Sequence, residues 1–98
     1  MHFIIHALDK SDAFPRRMAV IDAHRSYLSN TDEKFGVSML LSGPLVQDDG
    51  EGMKGSFLLV EAKDREAVET MVLGDPLNAA DVWENVSIAA VSIRQNYM

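Results

Sequence analysis

The chain has 98 residues, of which 47% are hydrophobic and 24% charged, values typical of one folded domain over residues 1–98. Nine Lys and Arg face fifteen Asp and Glu, for a net charge of −6; without a basic stripe, neither nucleic acid nor an anionic membrane is an expected partner. The absence of cysteine excludes disulfides and thiolate chemistry and fits a reducing cytoplasm, the expected location.

The first predicted elements are a strand and a long helix. Residues 2–8 alternate with both rows largely apolar, which predicts an inner strand and not a signal peptide; no apolar run is long enough to span a membrane. Residues 14–30 predict a helix with Ser11 or Asp12 as its cap and Pro15 in its first turn. Its expected apolar stripe recurs at spacings of three and four, at Phe14, Met18, Ile21, Arg25 and Leu28, with Arg25 as the one exception to its apolar character.

His24 belongs to a second row of the same helix, which overlaps this stripe. The row also contains Arg17, Ile21 and Leu28. Because the row lies beside the stripe, we expect His24 near the boundary between core and solvent, with Arg17 two turns earlier on nearly the same side.

The rest of the chain predicts three further strands and a second helix. The second strand is expected to end at Gly43 and Pro44, because proline cannot donate a ladder hydrogen bond. Asp64 is expected to cap the second helix, and Gly74 to end it. The predicted ranges, in chain order, are a loop over 29–36, strands over 37–42 and 55–62, a helix over 65–73, a short helical turn within 77–83 and a strand over 86–93.

The order of these elements predicts an α+β fold. Strand, helix, strand, strand, helix, strand is the ferredoxin-like βαββαβ arrangement, with a four-stranded antiparallel sheet and both helices on one face. The other face would be exposed in a monomer, and both rows of the strands are too apolar for that. We therefore expect a homodimer that pairs sheet faces.

The titratable residues, judged by pattern alone, favour structural roles. His24 could act as a general base, which needs an orienting acceptor; Asp75 and Asp81 are candidates, whereas Asp22 lies on the wrong side of the helix. A histidine at a core boundary and an aspartate in a turn are nevertheless common structural features. The same holds for His6 on its strand. No histidine pair has chelating spacing, so no metal is expected, and no phosphate or dinucleotide motif is present.

The chain resembles the YCII-related family of small dimeric α/β-barrel proteins over almost its whole length. The motifs that carry the resemblance are short, but their order and spacing match the family. They are Ala7-Leu8-Asp9-Lys10, Arg17 with Ala23-His24 and Leu28, Leu41-Ser42-Gly43-Pro44-Leu45, Gly55-Ser56 before Val60-Glu61-Ala62, Gly74-Asp75-Pro76, and Val86-Ser87-Ile88.

The resemblance implies that His24 and Asp75 form a catalytic dyad. It also implies a substrate site that includes His6, Arg17, Gly43, Pro44 and Ser56. Family members with a known reaction are similar to enzymes of aromatic-compound breakdown, notably dehydrochlorination of a chlorinated hydroxyhydroquinone, and the fold is similar to that of muconolactone isomerases. We therefore expect a lyase or isomerase that acts on a small aromatic substrate without a cofactor.

Two other functions remain open at this point. The same barrel could be a non-enzymatic binding module for a small metabolite, in which the basicity of His24 is unimportant. It could also be a cofactor-free monooxygenase of the related dimeric barrels, for which no residue of the chain gives specific support.

Overall fold

The computed structural model describes residues 1–98 as one antiparallel sheet packed against helices. The sheet has four strands in the order β2-β3-β1-β4. This is the ferredoxin-like βαββαβ fold, as predicted. The elements are β1 (His2–Asp9), α1 (Phe14–Leu28), α2 (Thr31–Phe35), β2 (Ser38–Val46), β3 (Met53–Glu61), α3 (Arg65–Leu73), α4 (Pro76–Ala79) and β4 (Trp83–Val91).

The core lies between the helices and one face of the sheet. In β1 the row Phe3, Ile5 and Ala7 is buried, as alternation predicts. The register aligns Phe3 with Val60 and Ile5 with Leu58 of β3, so these side chains share a face. Helix residues close the same cluster: Leu28, Val68, Met71, Val72 and Leu77.

Helix α3 follows its prediction closely. The Asp64 side chain accepts a hydrogen bond from the Ala67 backbone N–H at 2.9 Å, the usual role of an N-cap aspartate. Gly74 ends the helix, with φ at −87°, so it does not use the left-handed region. The next helix, α4, begins two residues later, and this short junction positions Asp75.

The buried face of α1 differs from the predicted stripe. Phe14 and Met18 are 53% and 44% exposed, whereas the overlapping row with Arg17 and His24 is buried. The polar row can be buried because both side chains find carboxylate partners inside the protein. The predicted cap is also wrong, since Ala13 occupies that position and no side chain caps the helix.

Several other boundaries also differ from prediction. The predicted loop over 29–36 contains helix α2, which ends at Gly36 with φ of 69°. Strand β2 runs through Pro44 to Val46, which is possible because β2 is an edge strand, where a missing donor is tolerated. The last strand begins earlier than predicted, at Trp83, because the preceding helical turn ends at Ala79.

The sheet surface that faces away from the helices is called the open face. No helix covers it, so its apolar side chains are partly exposed, Ile4 by 42% and Leu41 by 37%. No helix of the protein combines the length and apolar content needed to cross a membrane. The register places on the open face Ile4, His6, Leu8, Leu41, Phe57 and Leu59.

Candidate functional site

A buried histidine–aspartate pair joins helix α1 to the start of α4. His24 Nδ1 lies 2.8 Å from Asp75 Oδ1 and 2.9 Å from Oδ2. The residues are only 6% and 1% exposed. This geometry favours the tautomer whose proton is on Nδ1, because that nitrogen then donates to the carboxylate. The lone pair of His24 is then on Nε2.

The Asp75 carboxylate is oriented by the local chain as well as by His24. Asp75 is the N-cap of α4, and its Oδ1 accepts a hydrogen bond from the Leu77 backbone N–H at 2.9 Å. Pro76 occupies the first turn and keeps Asp75 extended, with ψ of 134°. The sequence Gly74-Asp75-Pro76 therefore ends one helix, begins the next and directs the acid at His24.

A cavity of about 220 Å³ borders His24 between α1 and the edge of the sheet. An apolar cavity of about 150 Å³ is known to hold benzene, so this volume suits one substituted six-membered ring. The register places Ser42 opposite Leu58 and Pro44 opposite Ser56, so both β2 residues face the helices. The lining residues are Arg17, Ile21, His24, Arg25, Leu28, Ser42, Gly43, Pro44 and Met53.

Arg17 is a buried cation in the wall of this cavity. It is 1% exposed. Its Nη1 donates to both oxygens of Asp9 at 3.0 and 3.1 Å, and its Nη2 donates to Ser56 Oγ at 2.9 Å. Burial raises the pKa of Asp9, an effect that the adjacent Arg17 charge partly offsets. Three elements, β1, α1 and β3, thus meet in one polar cluster.

Two aromatic residues pack around the dyad. The Trp83 ring lies 6.5 Å from the His24 ring, centre to centre, at an interplanar angle of 88°. The Tyr27 hydroxyl donates to the Met71 carbonyl at 2.7 Å. Burial, followed by the negative charge of Asp75, raises the pKa of the Tyr27 phenol. The Trp83 ring thus bounds the His24 imidazole on one side, and it belongs to the core cluster.

Most of the predicted site residues are brought together. His24 and Arg17 border the cavity with Gly43 and Pro44, and Asp75 lies behind His24. Gly43 contributes only backbone to the wall; a Cβ added there would point to the open face, 2.9 Å from the Phe57 ring. Ser56 does not border the cavity but holds Arg17 from behind.

His6 is the exception among the predicted site residues. It belongs to the β1 row of Ile4 and Leu8 on the open face, opposite the face that α1 covers. The structure therefore does not place His6 at this cavity of the protomer, although the resemblance implies a substrate-site role for it. Asp81, a candidate partner of His24, is instead exposed and paired with Lys10.

Sequence reasoning missed three residues of the site. The sequence singles out Asp9 only within the motif Ala7-Leu8-Asp9-Lys10, because nothing local indicates its contact with a helix residue eight positions later. The pattern predicts Ser42 only as part of the second strand, and Trp83 only as the end of the short helical turn within 77–83. No group of three or more His, Asp or Glu residues is close enough to hold a metal ion.

Comparisons with known proteins identify the family and support the fold. Residues 1–92 match the profile of the YCII-related domain. The chain belongs to the YCII-related domain family. It is 31% identical over 93 residues to Protein YciI of Escherichia coli O6:H1, a match that covers 90% of this chain and 93% of that protein.

Solved structures with the same fold include an enzyme. This is 5-chloro-2-hydroxyhydroquinone dehydrochlorinase (TftG) from Burkholderia phenoliruptrix AC1100, solved in complex with 2,5-dihydroxybenzoquinone. It is 26% identical with a TM-score of 0.82, and the match covers 94% of both chains. A dimeric protein of ferredoxin-like fold from Bacteroides fragilis is 10% identical with a TM-score of 0.54 over 90% of both chains, which is a likeness of fold alone.

Proposed function

We propose that this protein is a lyase or isomerase that acts on a small aromatic ring, with His24 as general base and Asp75 as its orienting acid. The observation that carries the proposal is the buried contact of 2.8 Å between His24 Nδ1 and Asp75, at the wall of a cavity that suits one ring. A histidine with one nitrogen held in this way presents the other as a base. General base catalysis typically contributes about 10²–10⁴ in rate.

The specific reaction that we propose is elimination of HCl from a chlorinated hydroxyhydroquinone. His24 Nε2 removes a phenolic proton, and the electron pair moves into the ring, where the carbon that bears chlorine takes up a proton. A second hydroxyl then loses its proton and becomes a carbonyl, the ring double bond shifts, and the C–Cl bond breaks with its electron pair on chloride. The net products are a hydroxyquinone and HCl, so no external oxidant is consumed.

The comparison with TftG supports this substrate class for the proposal. Its reaction and its bound quinone both concern a single ring with oxygen substituents. The cavity here has the size for one such ring, and its polar lining groups lie on α1 and β2. At 26% identity and a TM-score of 0.82 the likeness is strongest in the fold, so the substrate stays a proposal.

We also propose that the protein is a homodimer that pairs its open faces. Ile4 and Leu41 of this face are 42% and 37% exposed, although they belong to strands in the middle and at the edge of the sheet. Covering such a face removes apolar surface from water. A Bacteroides fragilis protein of ferredoxin-like fold is dimeric, so this fold is compatible with dimer formation.

The experiment is a chloride-release assay on 5-chloro-2-hydroxyhydroquinone without added cofactor. Wild type is expected to release chloride, and His24→Ala to lose activity by at least about 10²-fold, because the base is gone. His2→Ala is the matched control, since His2 pairs with Glu61 at the other end of β1 and does not border the cavity.

A non-enzymatic binding module would give a different result. Wild type would bind the ring compound without releasing chloride, and His24→Gln would keep the affinity because proton transfer plays no role. Oxygen uptake with the unchlorinated quinol would indicate the monooxygenase instead. Either outcome, in folded protein, would refute the dehydrochlorinase proposal.

A further inference from the structure

The guanidinium in the cavity wall already has a carboxylate partner inside the protein. Arg17 Nη1 contacts both oxygens of Asp9, and Nη2 donates to Ser56. The Arg17 and Asp9 side chains are 2% and 6% exposed, so the pair is removed from solvent. An arginine recognises a ligand carboxylate through two parallel N–H groups of its fork. Here both Nη groups already have internal partners, and only the buried Nε–H has none, so the fork keeps one free donor while Asp9 offsets its charge.

The other two basic side chains of the cavity wall, His24 and Arg25, offer an incoming carboxylate little further attraction. If His24 is protonated it faces Asp75 at 2.8 Å, and if it is neutral only the negative charge of Asp75 remains. Arg25 is 66% exposed and lies 3.5 Å from Asp22, so solvent screens its charge. Therefore no basic side chain of the cavity wall is both buried and without an acidic partner in the protein.

We propose that Asp9 determines substrate class by occupying Arg17, so that the site accepts rings whose substituents are hydroxyl or quinone oxygens and excludes rings that carry a carboxylate. This inference rests on the proposed function in one respect, that the 220 Å³ cavity is the substrate site. Asp9 acts through Arg17 and does not border the cavity itself. It is a specificity-determining residue and not a catalytic one.

The physical reason is the cost of desolvating a carboxylate. A carboxylate that enters a buried site loses its hydration and must regain equivalent hydrogen bonds and charge partners. Here it would meet Asp9 close behind Arg17 and Asp75 close behind His24, which are both negative. A phenolic hydroxyl on the same ring carries no full charge to desolvate and can donate as well as accept. The pair Arg17–Asp9 thus distinguishes two classes of ring that the cavity volume alone would not.

The test compares two isosteric probes by isothermal titration calorimetry with wild-type protein. The probes are 2,5-dihydroxybenzoate and 2,5-dihydroxybenzamide, which differ in charge but hardly in size. Wild type is expected to bind the amide at least about tenfold more tightly, a difference of about 1.4 kcal/mol. Equal or tighter binding of the carboxylate would overturn the inference while leaving the dehydrochlorinase proposal intact. Absence of binding by both probes would overturn the inference together with the assignment of the cavity as the substrate site.

The variant Asp9→Asn tests the role of the residue directly. With Arg17 released from its acid, the carboxylate probe is expected to gain at least about tenfold in affinity and the amide to change little. The matched control is Asp12→Asn, since Asp12 pairs with Arg16 at 3.5 Å on the surface, outside the cavity. The double variant Asp9→Asn with Arg17→Gln should not show this gain in affinity for the carboxylate probe, because the gain requires the released Arg17. A gain that persists without Arg17 would indicate a purely structural role of Asp9 and would contradict the inference. If Asp9→Asn does not fold, the comparison of the two probes with wild-type protein still tests the inference.

Discussion

Replacing Asp75 by Asn separates the charge of the dyad from its position. Asparagine is nearly isosteric and is itself a good N-cap residue, so its amide oxygen can still accept from the Leu77 N–H. The same oxygen lies 2.8 Å from His24 Nδ1 and can still accept from it. An NH₂ group replaces Oδ2 at 2.9 Å from Nδ1, so the side chain keeps one acceptor for His24 but loses the negative charge. Asp75→Asn therefore removes mainly the charge that stabilises the imidazolium.

The expected magnitude follows from the geometry. Proton transfer creates an imidazolium whose Nδ1 is 2.8 Å from the nearest carboxylate oxygen. For charge centres about 4 Å apart and an effective dielectric constant of about 20, the attraction is about 4 kcal/mol. Because about 1.4 kcal/mol corresponds to a tenfold change in rate, loss of the charge should lower kcat/KM by about 10³-fold.

The assay is initial-rate chloride release, with urea unfolding to confirm that the variant is folded. Asp64→Asn is the matched control, because Asp64 caps α3 with the same 2.9 Å contact but has no histidine partner. That variant should keep wild-type turnover. Unchanged turnover in folded Asp75→Asn would remove Asp75 from the mechanism, whereas an equal loss in both variants would point to helix capping and not to the dyad.

Three further predictions concern stability and assembly. Ser56→Ala should lower the free energy of unfolding in urea by about 1–3 kcal/mol, because the Nη2 donor of Arg17 is left buried without its acceptor. The pKa of Tyr27 is raised in the folded state, so at alkaline pH the phenol ionises more readily in the unfolded chain, where its pKa is 10.0. The free energy of unfolding should therefore fall as pH rises. Urea unfolding at about pH 9 and about pH 11 should show a smaller fall for Tyr27→Phe than for wild type. Ile4→Lys should convert dimer to monomer in gel filtration, whereas Leu73→Lys, 72% exposed on α3, should not; a monomeric wild type would contradict the proposed assembly.

Much of the fold could be predicted because its signals are local. The alternation of Phe3, Ile5 and Ala7 identifies a strand with a buried row, and Asp64 marks a helix start through its own side chain. The extent of β2 could not be predicted in the same way. Whether Pro44 ends a strand or is accommodated within one depends on that strand lying at the sheet edge, which is a property of the assembled sheet.

The site could be predicted only in part, because its contacts join distant segments. Periodicity alone favours the row of Phe14 and Met18 as the buried face of α1. The carboxylate partners that allow the polar row to be buried lie in other segments, so the periodicity of the helix contains no sign of them. Asp75 lies 51 positions from His24, and only the family resemblance distinguished it from Asp81 as the partner. For His6, the strand row was evident, but which face the helices cover decides whether that row reaches the cavity.

The edge contact between Trp83 and His24 gives the protein a built-in optical signal. Trp83 is the only tryptophan of the chain, and its ring centre is 6.5 Å from that of the histidine. A protonated imidazole quenches indole emission on contact, so intrinsic fluorescence would report the charge of this one histidine without interference from other tryptophans. The ionisation of the dyad can therefore be followed in the resting protein, before any substrate is known.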